Sequence, residues 1–262
     1  MRVRKRDGRI EDFSKEKIMR TAVRAGLSAD RAKKVAEEVE KRIYDGITTD
    51  EVLDIVISEI EKISKKVSTK YGLKSSLLRL GPAGYRFEKF VSALLRAYGY
   101  KTRINELIEG KCATHEVDVI AEKDKNYIVE CKFHNTPTYT GLKDILYSYA
   151  RFLDISEIRH DFQCVWVFTN TKFSSEAMRF AECRGIKLTG WHYPENDGIE
   201  ALLERKRLYP VTVLRLSNFE IEELLKHGFA FCNEIAENKK RIAEIFGKRA
   251  QEIVAEAEII VQ

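Results

Sequence analysis

Hydrophobic and polar positions change their spacing twice along this chain of 262 residues, which divides it into three segments. The first 80 residues open with a short alternating stretch around Asp7-Gly8, a pattern typical of a β-hairpin. Apolar residues at helical spacing follow, and Ser14 and Ser28 are placed to cap two helices. A third helix is predicted after Thr49. We therefore predict a small α+β module made of a hairpin and helices.

The second segment, residues 82–210, begins after the cluster Gly81-Pro82-Ala83-Gly84, a composition typical of a domain boundary. The pattern predicts helix 86–98, strands 100–106, 116–122 and 127–133, helix 140–153, strand 163–169, helix 174–184 and strand 186–189. Strands that alternate with such helices indicate an α/β fold around a mixed sheet flanked by helices. Residues 211–262 show no strand pattern and predict a tail of short helices with breaks at Gly228 and Gly247.

Charged residues stand inside two of the predicted strands. Pairing these strands as a hairpin places Asp118 opposite Glu130, about 5 Å away across the ladder. Glu130, Lys132 and His134 are two residues apart and share one face of their strand, whereas Val129 and Cys131 face the other way. Two carboxylates at this spacing can bind a hard cation such as Mg²⁺ against a substrate phosphate. The ammonium of Lys132 could then orient a water or stabilise developing charge.

The alternative is that Asp118, Glu130 and Lys132 are ordinary solvent-facing residues of an edge hairpin, since charged residues of strands are mostly exposed. Their surroundings argue against it. The stretches EVDVIA and YIVECKF are apolar and β-branched, which is typical of the interior of a sheet, where an unpaired charge is costly.

Composition narrows the class of protein further. Hydrophobic residues make up 44% of the chain and charged residues 33%, and no apolar stretch approaches the roughly 18 residues of a membrane span. We expect a soluble cytoplasmic protein with no membrane partner. The five cysteines show no zinc or redox spacing. The net charge of +5 permits a polyanionic partner, and the positive excess lies in the first 80 residues.

A helix that carries Phe87-Glu88, followed by EVDVIA and IVECKFH, resembles the PD-(D/E)xK nuclease superfamily, in particular the Mrr-type restriction endonuclease-like domains. The resemblance covers about residues 82–200. It implies that Asp118 and Glu130 bind Mg²⁺ or Mn²⁺ and that Lys132 is the catalytic lysine. It also implies that Glu88 reaches the metal or its water, although Glu88 could equally be a solvated residue at the start of a helix.

Four residues are candidate DNA contacts. His134 lies near the predicted site, and Lys172 follows a strand end in VFTNTKFSSEAMRFAECRGI, which resembles the later part of the same nuclease domains. Lys248 and Arg249 lie in IAEIFGKRAQEIVAEA, which resembles a helix-hairpin-helix unit that grips DNA backbone phosphates. The tail is net acidic, so a purely structural helical cap remains the alternative.

The first segment resembles the ATP cone, a small nucleotide-binding regulatory domain, on the residues VRKRDGRIEDFSKEKI and, further on, YDGITTDEV. The resemblance covers about residues 2–80. It implies that Val3 packs on the base, that Lys5, Arg6 and Lys17 contact the triphosphate, and that Glu11 and Thr49 contact the nucleoside. Clustered cations suit a triphosphate. From composition alone, RVRKR would instead be a basic arm for nucleic acid.

Together these observations predict a Mg²⁺-dependent endodeoxyribonuclease regulated by bound ATP or dATP. Two alternatives stay open: a nucleotide-responsive protein that binds DNA without cleaving it, and a nuclease specific for branched DNA or for RNA. Because ATP cones commonly act by changing association, a homo-oligomer is a further expectation.

Overall fold

The computed structural model describes residues 1–5 and 8–262. Its first part pairs three short strands in the order β2-β1-β3 and packs helices on them. The elements are β1 (Arg2–Arg4), β2 (Ile10–Asp12), α1 (Lys15–Ala25), α2 (Ala29–Arg42), β3 (Ile47–Thr48), α3 (Thr49–Glu61) and α4 (Lys65–Leu77). The antiparallel pairing of β1 with β2 confirms the predicted hairpin, and β3 adds to β1 in parallel. Of the predicted turn, Asp7 lies outside the described residues.

The predicted caps of the first two helices are confirmed. The Ser14 side chain accepts a hydrogen bond from the backbone of Lys17, and that of Ser28 accepts one from Arg31. Helix α4 is missing from the sequence-based prediction because its buried face uses small residues, Ser68 and Gly72, beside two leucines. The missing side chain of Gly72 lets α3 approach closely, since a Cβ there would lie 3.0 Å from the Cδ1 of Ile57.

The middle part is built on a five-stranded mixed sheet in the order β10-β8-β6-β5-β4. The elements are α5 (Gly84–Ala97), β4 (Lys101–Glu109), β5 (Thr114–Glu122), β6 (Asn126–Lys132), β7 (Tyr139–Thr140), α6 (Leu142–Ser156), β8 (Cys164–Thr169), β9 (Lys172–Phe173), α7 (Ser175–Arg184), β10 (Lys187–Thr189) and α8 (Ile199–Lys206). Strands β4, β5 and β6 are antiparallel neighbours, whereas β6, β8 and β10 run parallel. The predicted α/β class with a mixed sheet is confirmed.

Helices cover both faces of this sheet. Val119, Val129 and Phe168 share a core with α5, whereas Val165 and Val167 share a core with α6 and α7. Strand β4 continues three residues beyond its predicted end. The alternation that marks a strand is interrupted there by Asn105, whose φ is 54°, and by the exposed Leu107. The short parallel pair β7–β9 was also not predicted.

The tail folds as short helices, as predicted. They are α9 (Asn218–Lys226), α10 (Cys232–Glu237), α11 (Lys239–Phe246) and α12 (Ala250–Val261). Gly228 and Gly247 lie at two of the breaks and have positive φ angles of 86° and 54°. The tail has its apolar residues in the same hydrophobic core as α5, with the rings of Phe90 and Phe231 5.8 Å apart. Across the described residues, no helix has the length and apolar character needed to cross a membrane.

Candidate functional site

The predicted neighbours Asp118 and Glu130 lie where β5 and β6 part. The antiparallel register pairs Val119 with Val129, and Asp118 and Glu130 are the next residues along the two strands. Beyond this point the Asp118 side chain continues the contact between the strands: its Oδ2 accepts a hydrogen bond of 2.7 Å from the backbone nitrogen of Cys131. The carboxylate of Asp118 is thereby held beside the end of β6.

Glu130 is the most buried of the candidate residues in the sheet, with 3% of its surface exposed. Its Oε1 lies 2.6 Å from the Nζ of Lys132, and its Oε2 lies 2.6 Å from the guanidinium of Arg151 on α6. Sequence reasoning missed Arg151, because a single arginine in a helix gives no signal of its own. Only the packing of α6 on the sheet brings this cation to Glu130. The buried carboxylate is therefore held by one cation from its own strand and one from a neighbouring helix.

Three carboxylates influence one another here. Burial, followed by the charge of Glu130, raises the pKa of Asp118 to about 7, and Glu88 adds to the effect. Burial also raises the pKa of Glu88, whose Oε2 is enclosed without a hydrogen-bond partner. The three acids outnumber the two cations, Lys132 and Arg151, that pair with Glu130, and a bound cation would favour the charged forms of Asp118 and Glu88.

The residues present fit a hard divalent cation that keeps several waters. Asp118 and Glu130 supply carboxylate oxygens, the ligand type that Mg²⁺ prefers, and Glu88, whose Oε2 has no hydrogen-bond partner, lies near enough for its charge to act on Asp118. Within residues 1–5 and 8–262, no three His, Cys, Asp or Glu side chains form a complete metal cage. The arrangement thus suits a metal that also takes oxygen ligands from water and from a substrate.

The charge state of Lys132 limits its role. Burial is the largest single influence and would lower its pKa, but the charge and hydrogen bond of Glu130, together with the charges of Asp118 and Asp144, outweigh burial and raise it, so the side chain remains an ammonium. It can orient a water and stabilise negative charge, but it cannot accept a proton. The exposed ring of Tyr147 lies beside it, with its centroid 5.9 Å from the Nζ of Lys132 and 5.0 Å from the guanidinium carbon of Arg151.

His134 lies just beyond the end of β6. Its backbone nitrogen donates to the Oδ1 of Asn170, and its Nε2 is 2.9 Å from the hydroxyl of Thr140. Burial lowers the pKa of its imidazole. The ring is therefore held by the segment that connects β6 to α6.

The predicted nucleotide contacts of the first segment lie around one cavity of about 640 Å³. Its lining includes Val3, Lys5, Glu11, Lys17 and Thr49, whereas Arg6 lies outside the described residues. The ammonium groups of Lys5 and Lys17 lie 3.1 and 3.4 Å from the Oε2 of Glu11 and hold the pKa of that carboxyl below its usual range. The structure thus brings together five of the six residues that the ATP-cone resemblance implies.

The same cavity extends to the middle part of the chain, which the sequence did not predict. Its lining also contains residues 134–139, residues 170–172, Trp191 and His192. Lys172, predicted as a DNA contact, therefore lines this cavity.

The two basic residues predicted as DNA contacts in the tail differ in their surroundings. Lys248 is exposed in the short turn before α12. Arg249 pairs with Glu220 at 2.8 Å, contacts Glu252, and donates to the carbonyl of Arg215. Its guanidinium thus joins α12 to α9, which favours the structural interpretation of the tail at this residue.

Comparison with known proteins agrees with this arrangement. A family model described as an ATP cone domain matches residues 1–72, one described as a restriction endonuclease matches residues 82–191, and one described as AF1548-like, C-terminal, matches residues 209–261. A solved structure titled as the protein of unknown function AF1548 is 46% identical, with a TM-score of 0.64, and covers 68% of this chain and 98% of its own. The chain belongs to the AF1548-like family. The resemblances of the first segment to the ATP cone and of the second to the Mrr-type restriction endonuclease-like domains are confirmed.

Other relatives of this AF1548-like protein add little about function. An uncharacterized protein of Archaeoglobus fulgidus is 48% identical over 175 residues, which are 65% of this chain and 99% of that protein. The structure of the MspJI restriction endonuclease with a 27-mer oligonucleotide is 12% identical, has a TM-score of 0.37, and covers 72% of this chain and 39% of that one. That likeness is too low to support an argument. In this AF1548-like chain, the matched restriction endonuclease segment contains Glu88, Asp118, Glu130 and Lys132.

Proposed function

We propose that this protein is a Mg²⁺-dependent endodeoxyribonuclease whose cleavage of DNA is regulated by ATP or dATP bound in the cone. The observation that supports the nuclease activity most directly is the group formed by Asp118, Glu130 and Lys132 at the strand ends of a restriction endonuclease domain. The burial of Asp118 and Glu130 and the repulsion between these two carboxylates are unusual for surface charges and typical of a catalytic site.

In this proposal Asp118 and Glu130 hold the metal, with Mn²⁺ able to replace Mg²⁺, and when bound the metal supplies Lewis-acid activation of water and phosphate. Lys132, as an ammonium, orients the attacking water and stabilises the charge that develops on the phosphate. Glu88 can accept a hydrogen bond from that water through its orphaned Oε2. Arg151 fixes the orientation of Glu130. In this proposal DNA contacts His134 and Tyr147 near the site, and the exposed Lys248 binds a phosphate of the DNA backbone.

The regulatory part of the proposal rests on the cavity. A volume of about 640 Å³ is adequate for a nucleotide, and Val3, buried in β1, offers an apolar contact for a base. Lys5 and Lys17 supply point charges for phosphates, and Glu11 and Thr49 supply polar groups for the nucleoside.

The test is a cleavage assay with supercoiled plasmid, a branched DNA junction and RNA, with Mg²⁺ or Mn²⁺, and with or without ATP or dATP. We expect DNA cleavage that requires the metal and responds to nucleotide. Asp118→Asn should lower the rate more than about a hundredfold, since even partners outside the metal's ligand shell cost 10–100-fold. Asp124→Asn, in the exposed turn of the same hairpin, is the matched control and should cleave normally.

Three outcomes would contradict parts of the proposal. DNA binding without cleavage on any substrate would favour a non-cleaving DNA-binding protein. Cleavage of RNA alone, or of branched junctions alone, would show that the substrate is not DNA in general. Cleavage that persists in Asp118→Asn would show that the reaction does not take place at the assigned site.

A further inference from the structure

Four basic groups from two parts of the chain meet on the wall of the cavity. Arg24 stands near the end of α1 and Lys74 on α4, while Lys172 lies in β9 and His192 follows β10. Burial, and then the charges of Lys74, Arg24 and Lys172, lower the pKa of His192 to about 4, so all three cations lie near its ring. The Nζ of Lys74 is also 5.9 Å from the centre of the Trp191 ring.

The positive charge of this group is only partly compensated. Glu200 lies 3.4 Å from Arg24 and 3.0 Å from the Nδ1 of His192. Among the described residues, no carboxylate forms an ion pair with Lys74 or Lys172. Lys74 is accessible to solvent from inside the cavity, yet protein atoms around it, together with Lys172, lower the pKa of its ammonium. Repelling cations in an enclosed space are the chemistry that binds a polyanion.

We propose that Lys74 and Lys172, with Arg24, form a phosphate site shared between the cone and the endonuclease domain, occupied by the terminal phosphates of a nucleoside triphosphate bound in the cone. The inference rests on the proposed nucleotide binding and deepens it. It adds three phosphate contacts to the three that the ATP-cone resemblance implies. The endonuclease domain then contacts the nucleotide directly.

Lys172 also joins this phosphate site to the segment that follows the catalytic lysine. Lys172 pairs with Tyr139 in the parallel β7–β9 ladder. Two residues before Lys172, Asn170 holds His134 from both sides, since its Oδ1 accepts from the His134 nitrogen and its Nδ2 donates to the His134 carbonyl. A phosphate at Lys172 therefore restrains residues 133–140, which begin directly after Lys132. This is a physical route from nucleotide occupancy to the cleavage site.

Binding of ATP, ADP and AMP to the full-length chain, measured by calorimetry, tests the shared site. We expect Lys172→Met and Lys74→Met each to weaken ATP binding about tenfold, while AMP binding stays unchanged because AMP lacks the terminal phosphates. Lys33→Met, an exposed lysine of α2 that does not line the cavity, is the matched control and should bind ATP normally.

A variant that should bind ATP more tightly distinguishes a specific effect from misfolding, because misfolding can only weaken ATP binding. Glu200→Gln removes the carboxylate that neutralises Arg24 and lies beside the ring of His192, so ATP binding should strengthen several-fold. In hydrogen exchange, ATP should slow the amides of residues 133–140 in the wild type and leave them unprotected in Lys172→Met.

The outcomes separate this inference from the proposed function. A wild-type chain that binds no nucleotide would overturn both. A wild type that binds ATP, with unchanged ATP affinity in Lys172→Met and Lys74→Met, would overturn the shared site and leave nucleotide binding by the cone standing. Loss of DNA affinity with unchanged ATP affinity in Lys172→Met would return Lys172 to a DNA-contacting role and overturn the inference.

Discussion

Two aspartates of the endonuclease domain, Asp118 and Asp154, experience opposite surroundings. Burial and the charge of Glu130 raise the pKa of Asp118 to about 7. The side chain of His115, with backbone nitrogens of residues 112 and 113, lowers the pKa of Asp154 to about 2. The surroundings of Asp118 disfavour its negative charge, which a bound metal would neutralise. The surroundings of Asp154 favour its negative charge, which binds the backbone of residues 112 and 113 to α6.

The raised pKa of Asp118 gives a prediction for stability without metal. Between about pH 4 and pH 7 the folded chain holds a proton that the unfolded chain has released, so the contribution of Asp118 to stability falls as pH rises through this window. Asp118→Asn should therefore raise the Tm above pH 7, by about 2–4 °C for each kcal/mol recovered, and have no effect below about pH 4. Thermal unfolding in chelator from pH 4 to 8.5 measures this.

Asp154→Asn is the opposite case and serves as the control. The lowered pKa of Asp154 means that its stabilising charge is fully present above about pH 4 and is lost as pH falls towards 2. Its replacement should lower the Tm at neutral pH. If Asp118→Asn lowered the Tm at pH 8, as Asp154→Asn should, the assigned environment of Asp118 would be wrong.

The pairing of Arg151 with Glu130 gives a second prediction at this scale. Arg151→Met leaves Glu130 with Lys132 as its one remaining cation, so the chain without metal should become less stable, by less than the roughly 3–5 kcal/mol that an uncompensated buried charge costs. The freed carboxylate should bind Mn²⁺ more tightly, and Mn²⁺ should restore more of the lost Tm than it adds to the wild type. Arg159→Met, which breaks the exposed pair with Asp161, should change neither quantity measurably. An unchanged response to Mn²⁺ in Arg151→Met would argue against Glu130 as a metal ligand.

At the scale of elements, the connection between α4 and α5 packs closely against the segment that follows Lys132. A Cβ on Gly81 would lie 2.2 Å from the Oδ1 of Asn135 and 2.5 Å from the ring of Phe133. The absence of a side chain at residue 81 is therefore a requirement of packing between the connection and the end of β6.

Gly81→Ala should consequently displace Phe133 and Asn135 and lower the free energy of unfolding by about 1–3 kcal/mol, as overpacking does. Gly84→Ala is a matched control three residues away. Its Cβ would meet only the Oε1 of Glu88, at an ordinary 3.8 Å, and alanine favours the helix. Urea unfolding measures the free energy of unfolding of the two variants. Equal values would show that the close contact at residue 81 does not affect stability.

At the scale of the whole molecule, one hydrophobic core runs from the end of α4 through α5 and the sheet into the tail. Phe231, at the start of α10, is 1% exposed and packs edge-on against Phe90 of α5. The tail therefore stabilises the endonuclease domain directly.

Phe231→Ala should lower the free energy of unfolding by about 3–5 kcal/mol, the usual cost of deleting a buried aromatic ring. The loss should appear in the unfolding of the sheet, followed by the fluorescence of the two buried tryptophans, Trp166 and Trp191. Phe219→Ala, in the same tail but 70% exposed, should cost little. Unfolding of the sheet at wild-type stability in Phe231→Ala would show that the tail is an independent unit.

Local pattern was sufficient for most of this architecture. The hairpin, the caps at Ser14 and Ser28 and the succession of helices and strands along the endonuclease domain depend on turn chemistry, capping and periodicity, which act between neighbours in sequence. The position of Glu130 and Lys132 on the same face of β6 follows from the two-residue period of a strand. Helix α4 was missed because its buried face holds Ser68 and Gly72, which carry no hydrophobic signal.

The sequence by itself determined the strand carrying Glu130 and Lys132, the neighbouring Asp118, and the basic hairpin of the cone, because each lies within one local pattern. Tertiary structure alone decided that Arg151 neutralises Glu130, and that Lys172 and His192 join the cone's residues around one cavity. These contacts join residues far apart in the chain. Their formation depends on how helices and sheets pack, and no periodicity within one segment contains that information.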